Sequence, residues 1–351
     1  MSIEIYPEDF STRYGLTHAI SITMTAFYND IGKLMLVAPV DDHNIQALKV
    51  GNVIYDTDRK LTYILVNVKI DTSYRRITAN GYTAEAILNR RVASAKTKIT
   101  NIESGVYEAV NGNLRGLESR IQTAPVKGLE ETYQGDDETT RDVDESVVYG
   151  GQLLDELTPV LEYGELGRRM LWDDTTKKWT FEVFKGIDRT QGIHRVVFST
   201  EQGTAKDLIC NDDDSTFYTT AFVRWDWEGT VQMHLVGTCG VSARELWIDS
   251  SLSPEGGEDF AAMKKRVISD AMDTLKEQIR RKSFTVTIDP EDFGRLYDMG
   301  DIVSCVSIRY GVEFNARVTG IKYTLDATGE KTEVTLGEPI LTALEALKLN
   351  G

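Results

Sequence analysis

Asp41-Asp42-His43 is the place in this sequence where carboxylates and an imidazole stand together, the grouping that a metal ion or an acid–base pair requires. It directly follows Pro39-Val40 in a segment that reads as a loop, where solvated polar residues are expected. The remaining histidines, His18, His194 and His234, lie outside helical reach of one another. Cys210, Cys239 and Cys305 are odd in number and far apart, so they spell neither a disulfide framework nor a zinc spacing. Cys239, within Gly237-Thr238-Cys239-Gly240, could be a reactive thiol, but no histidine accompanies it and a buried structural role is preferred. Asn211-Asp212-Asp213-Asp214-Ser215 offers carboxylate oxygens to calcium, yet lacks the alternating ligands and central glycine of a calcium loop and reads better as a solvated turn. Trp225 and Trp227, two apart on one strand face, could stack on a sugar ring, pack in a core or be buried in a subunit contact. There is no Gly-x-Ser-x-Gly elbow, Walker loop, Gly-x-Gly-x-x-Gly or His-Glu-x-x-His. The sequence therefore assigns no catalytic, cofactor-binding or metal-binding residue, and the chain is expected not to be an enzyme.

Composition narrows the partners. The 351 residues carry 55 acidic and 39 basic side chains, a net charge of −16, which disfavours wrapping of nucleic acid or binding to anionic membranes. A length of this order allows two or three domains. No apolar run of signal-peptide length follows Met1, and no 18-residue apolar stretch occurs, so the chain is expected to be made soluble in a cytoplasm, without a membrane anchor.

The elements that must position these residues are mainly strands, and one pattern occurs twice. The first copy runs from alternating Ile20, Ile22 and Met24 to a turn at Gly51-Asn52, then Val53-Ile54-Tyr55, a strand from Leu61 to Val68, another from Arg76 to Gly81, and a short helix from Thr83 to Leu88. In the second, Phe284, Val286 and Ile288 alternate, and Gly300-Asp301 precedes Ile302-Val303. Strands from Val312 to Ile321 and from Lys331 to Gly337 follow, before a short helix from Ile340 to Leu344. Alternation turns one apolar face inward, and the Gly-Asn and Gly-Asp turns relieve strain where the chain reverses. Small curved sheets of this kind tend to close into barrels, which removes unpaired edges.

The reading is thus α+β, mainly β: a first β-barrel domain over residues 1–92, an inserted small α+β module over 93–195 and a second β-barrel domain over 196–351. The insert contains an acidic loop at 128–144, a short helix around Leu153, Leu154 and Leu157, and a hairpin turning at Asp173-Asp174. The last domain includes a hairpin over 219–236, turning at Glu228-Gly229, and a long amphipathic helix over 259–282. Phe260, Met263, Val267, Ala271, Leu275 and Ile279 line one face of that helix, and Arg280-Arg281-Lys282 complement its C-terminus.

Asp298-Met299-Gly300-Asp301-Ile302-Val303, the run from Phe314 to Tyr323 and Glu333-Val334-Thr335-Leu336-Gly337, in this order of modules, resemble the hub protein of long-tailed bacteriophages. That family also provides the N-terminal part of tail-associated lysins. The resemblance implies two tail-tube-like barrels per chain and a homotrimer forming a pseudo-sixfold ring that continues the tail tube at the virion tail tip. It implies as partners a distal tail or tube protein, a tape-measure protein and receptor-binding or tip proteins, with DNA only in transit and synthesis in the host bacterial cytoplasm. Asp212, Asp213 and Asp214 become candidates for an acidic lumen that DNA does not stick to, Trp225 and Trp227 for interface aromatics, and Gly51, Asn52, Gly300 and Asp301 for the barrel turns. The sequence ends at Gly351, soon after the second β module, so no C-terminal hydrolase is expected. Two other readings stay open: a tail-associated cell-wall hydrolase, which needs only two suitably spaced carboxyl groups, and a carbohydrate-binding adhesin using Trp225 and Trp227.

Overall fold

The structure, a computed structural model, describes residues 2–16, 18–114, 121–123, 142–237, 240, 243–254, 256–278, 281–289 and 292–340. The acidic loop expected at 128–144 falls mostly outside these residues, as do Cys239, Ile279, Arg280 and all but the first residue of the helix expected from Ile340. The chain divides into two compact units, Met1–Ile209 with Phe284–Gly351, and Cys210–Ser283. The hairpin and long helix assigned to the second barrel therefore belong to a unit of their own.

The first unit opens with β1 (Ile3–Tyr6), β2 (Tyr14–Gly15), β3 (Ser21–Phe27), β4 (Lys33–Pro39), helix α1 (Asp42–Ala47), β5 (Val53–Asp56), β6 (Leu61–Asp71), β7 (Arg76–Thr83) and a 3-10 helix, Ala84–Arg90. The insert follows with β8 (Thr97–Asn101), α2 (Ile102–Asn113), β9 (Ile121–Thr123), β10 (Asp142–Val148), α3 (Leu153–Tyr163), β11 (Gly167–Asp173) and β12 (Lys178–Phe184). Then come β13 (Val197–Phe198) and β14 (Asp207–Asp213), and, after the second unit, β18 (Arg281–Ile288), β19 (Ile302–Ser307), β20 (Val312–Asp326) and β21 (Gly329–Ile340). The intervening β15 (Thr220–Trp227), β16 (Thr230–Gly237), β17 (Glu245–Asp249) and α4 (Phe260–Glu277) form the second unit.

The strands of both β modules pair into one sheet of thirteen, in the order β14-β18-β21-β20-β3-β4-β7-β6-β5-β1-β2, with β19 on β20 and β13 on β19. The sequence predicts two barrels; among the described residues neither module closes on itself. The reason lies in β20, which is fifteen residues long and carries register shifts around Val318. Its N-terminal half pairs with β19, from Val312 to Arg317, and its C-terminal half, from Gly320 to Leu325, pairs with β3 of the first module. Bulges bend a strand and let its halves serve different neighbours.

The duplication holds in its topology. β4, β5, β6 and β7 lie in the order β4-β7-β6-β5, and β18, β19, β20 and β21 in the order β18-β21-β20-β19. Gly51 N–H donates to Leu65 O (2.8 Å) and Leu65 N–H to Asn52 O (2.9 Å); Gly300 N–H donates to Val318 O (2.8 Å) and Val318 N–H to Asp301 O (2.8 Å). Leu65 is paired with Gly81, which faces Leu34; Val318 is paired with Leu336, which faces Phe284. Buried Leu34, Leu36 and Ala38 thus match buried Phe284, Val286 and Ile288. This corrects the expected alignment, in which the strand of Ile20, Ile22 and Met24 stood opposite that of Phe284, Val286 and Ile288. The counterpart of β3 is β14. Ile20 N–H donates to Val37 O and Lys206 N–H to Thr287 O, each at 2.7 Å, and in both cases a seven-residue strand starts at the next position. Where the first module has a turn, residues 28–32, the second carries β15, β16, β17 and α4 between β14 and β18.

In the insert, β11 and β12 form the expected hairpin, Gly167 opposite Phe184 through Asp173 opposite Lys178. Their buried face packs with Leu153, Leu154, Leu157 and Leu161 of α3 and Val106, Ala109 and Val110 of α2. In the second unit, α4 is capped by Asp259, whose carboxylate accepts from Ala262 N–H at 2.8 Å. It ends at Glu277, earlier than expected: Arg281 and Lys282 open β18, where β-branched and aromatic residues alternate and strand periodicity takes over. Among the described residues no helix is long and apolar enough to cross a membrane.

Candidate functional site: strand edges and an open sheet face

Asp41, His43 and Cys305 have structural surroundings. Asp41 caps α1, accepting from Asn44 N–H at 2.7 Å, and His43 Nε2 lies 2.8 Å from Gly15 O. Cys305 is fully buried, which pushes its thiol up to about 12 and leaves it without thiolate character at neutral pH. Among the described residues no group of three or more His, Cys, Asp or Glu could hold a metal ion.

The turn residues are buried and tie elements together. Asn52 Nδ2 donates to Ala47 O at 2.8 Å. Asp301 accepts from Ile187 N–H (2.8 Å), Asp298 N–H (2.9 Å) and the Arg189 guanidinium, fastening the second module to the segment that follows β12. Nearby, Tyr28 Oη lies within reach of three carbonyls, Glu165 O (2.8 Å), Lys185 O (2.9 Å) and Phe184 O (3.1 Å), and burial pushes its hydroxyl up to about 12. Arg317 donates to Lys185 O (2.6 Å) and Gly300 O (2.8 Å) beside the same ring. First module, insert and second module meet at Tyr28, which lies between β3 and β4.

Of the acidic tract, Asp212 and Asp213 lie on β14, and their side chains are outside the described residues. Asp214 is exposed but held by Arg244 at 2.8 Å, so its charge is partly neutralised. Trp225 does not serve as an interface aromatic: it is 2% exposed, packed under α4 with Met263, Val267 and Ala271, and stacked on Phe260 at 5.4 Å. Trp227 packs at the margin of that core, 5.7 Å from Phe260.

The exposed aromatic is Trp247. In the sheet order β16-β15-β17, α4 covers the face bearing Ala221, Val223 and Trp225. The register sets Val223 opposite His234 and Trp225 opposite Gln232, so the alternating Val231, Met233 and Leu235 fall on the other face. There Phe222 stands between Leu235 and Trp247, and Val231, Met233, Leu235 and Trp247 are between 44% and 54% exposed. The alternation of each strand is legible; which set the helix covers is decided by register. Arg224, Asp226 and Asp249 share that face, Arg224 paired with Asp249 at 3.2 Å, and exposed apolar residues interleaved with charges have the character of a protein-contact surface.

The other open feature is backbone. β5 pairs only with Leu61–Ile64 of β6, leaving the β6 edge from Val66 to Asp71 without a strand partner among the described residues, with Val66 and Ile70 exposed. At the far end of the sheet, β14 is bound, among the described residues, to β18 alone. Unpaired edges are templates for another chain.

A family model described as Siphovirus ReqiPepy6 Gp37-like protein matches residues 2–338. The chain is similar to the solved tail protein from Neisseria meningitidis MC58, with 13% identity, a TM-score of 0.59 and 96% of each chain covered. It is also similar to the 43 kDa tail protein of prophage MuSo2 from Shewanella oneidensis, with 11% identity, a TM-score of 0.58 and coverage of 97% of this chain and 98% of that one. The prophage tail protein gp18 from Listeria monocytogenes EGD-e has 12% identity and a TM-score of 0.52, both chains being covered completely. At these identities the likeness is one of fold. No curated protein matches the chain.

Proposed function

The chain belongs to the Siphovirus ReqiPepy6 Gp37-like protein family, and on that premise we propose that it is a non-catalytic structural subunit of a phage tail, three copies of which close into a ring at the tail tip. The duplicated five-strand module carries this reading. A chain with two equivalent modules lets three subunits present six similar units around one axis, joining a sixfold tube to a threefold tip. DNA passes through the ring in transit. The net charge of −16 suits a conduit that must not retain phosphate.

A tube or distal tail protein, a tape-measure protein and receptor-binding tip proteins are the partners in this reading. The open face around Trp247 is available for one of them. The adhesin reading loses Trp225, one of its two residues, to the core. The test is native mass spectrometry of the purified protein at rising concentration: a species of three 39.3 kDa chains is expected, and a strictly monomeric or dimeric protein would contradict the proposal.

A further inference from the structure

The two modules stand in unequal surroundings. In the second, the half of β20 that follows the bulge is paired on both sides, with β21 and with β3, from Gly320 opposite Phe27 to Leu325 opposite Ile22. In the first, the matching half of β6, which begins at Asn67 after its own register shift, is paired among the described residues with β7 alone. The strand that covers β20 is β3, laid on β4; its counterpart β14 is laid on β18 and has nothing on its outer edge among the described residues. One chain therefore carries a strand edge lacking its cover and a cover strand lacking its edge. Within a single sheet they are separated by β18, β21, β20, β3, β4 and β7, so the chain does not satisfy itself.

We propose that β14 of one copy pairs antiparallel with β6 of the next, in the register that β3 and β20 use within the chain. This deepens the ring reading and rests on it. The matched hydrogen bonds fix the alignment: Ile20 corresponds to Lys206 and Val318 to Leu65, which sets Asn67 of one copy opposite Asp213 of the next, Lys69 opposite Asn211, and Asp71 opposite Ile209. The pairing covers Val66, Ile70 and the 55% exposed Ile209. Because β6 meets β14 and not another β6, the contact is head-to-tail, the kind that closes rings. It also places Asp212 and Asp213 at the seam between subunits instead of leaving them on a free lumen wall.

Paired cysteines test the register. In a chain with Cys210 and Cys239 replaced by serine, Lys69→Cys with Asn211→Cys puts two Cα atoms at the ~4.5–5.5 Å of directly opposed antiparallel residues, within the Cα separation a disulfide spans. Lys69→Cys with Asp207→Cys is the control, ~13 Å out of register at the rise of a strand. Mild oxidation of the assembled protein should link chains into covalent dimers and trimers with the first pair and not with the second. Assemblies of unchanged size that fail to link, or that link equally with both pairs, overturn the pairing and leave the ring standing. A protein that never assembles overturns both.

Discussion

Tyr28 fills the space in front of Gly300, where an added Cβ would stand 2.7 Å from Tyr28 Cε2. Gly51, its counterpart in the first module, has nearly the same backbone, φ 90° against 86°, but the nearest atom to its would-be Cβ is the flexible Glu8 carboxylate at 3.1 Å. Alanine in this left-handed region costs about 1–2 kcal/mol at either site. Overpacking against an anchored ring adds about 1–3 kcal/mol at Gly300 alone. Denaturant melts are expected to show Gly300→Ala losing more than Gly51→Ala; equal losses would mean that the Tyr28 ring moves aside freely.

Trp225 and Trp247 should part company on mutation. Removing buried Trp225 opens a cavity beneath α4 and is expected to cost about 3–5 kcal/mol. Trp247→Ala, on the open face, should change stability by no more than about 0.5 kcal/mol. Thermal melts of both variants check this, and a large loss for Trp247→Ala would make that face part of the unit's own core.

Acid should remove one identifiable support. Glu201 accepts from Ser307 Oγ (2.8 Å), Ser199 Oγ (3.0 Å) and Arg309 N–H (3.2 Å), and these bonds, that from Ser307 first, pull its carboxyl down to about 2. Its folded pKa is depressed, so its contribution is complete above the unfolded value near 4.5 and is lost as pH falls toward 2. The melting-temperature difference between wild type and Glu201→Gln should therefore shrink between pH 5 and pH 2; a difference that does not vary with pH would refute the assignment.

Cys305 is expected to be silent toward thiol reagents in the folded protein at neutral pH and to react fully once the chain is unfolded. Rapid labelling of Cys305, identified by peptide mapping of the native protein, would show that the core of the second module opens.

Strand alternation and the glycine turns made the β modules legible, because Ile22, Met24, Val286 and Ile288 obey the two-residue period of a half-buried sheet. The same alternation could not say which neighbour each strand takes. The pattern from Ile20 to Met24 looks like that from Phe284 to Ile288, yet it corresponds to β14, which hydrogen-bond register alone reveals. The open edge of β6 was invisible for a related reason: an unpaired edge is a property of the neighbour that is missing, and nothing in Val66 to Asp71 encodes it. Trp225 was legible as an aromatic on a strand but not as core, since α4, distant in sequence, chooses the covered face.

The central claim, that the two modules of each chain are equivalent members of one ring, is tested most directly by class averages of the assembled particle in electron microscopy. Six similar densities around a central hole, with threefold symmetry once the first and second modules are told apart, is the predicted result. A solid particle without a hole, or a twofold particle in which like modules face each other, would contradict it.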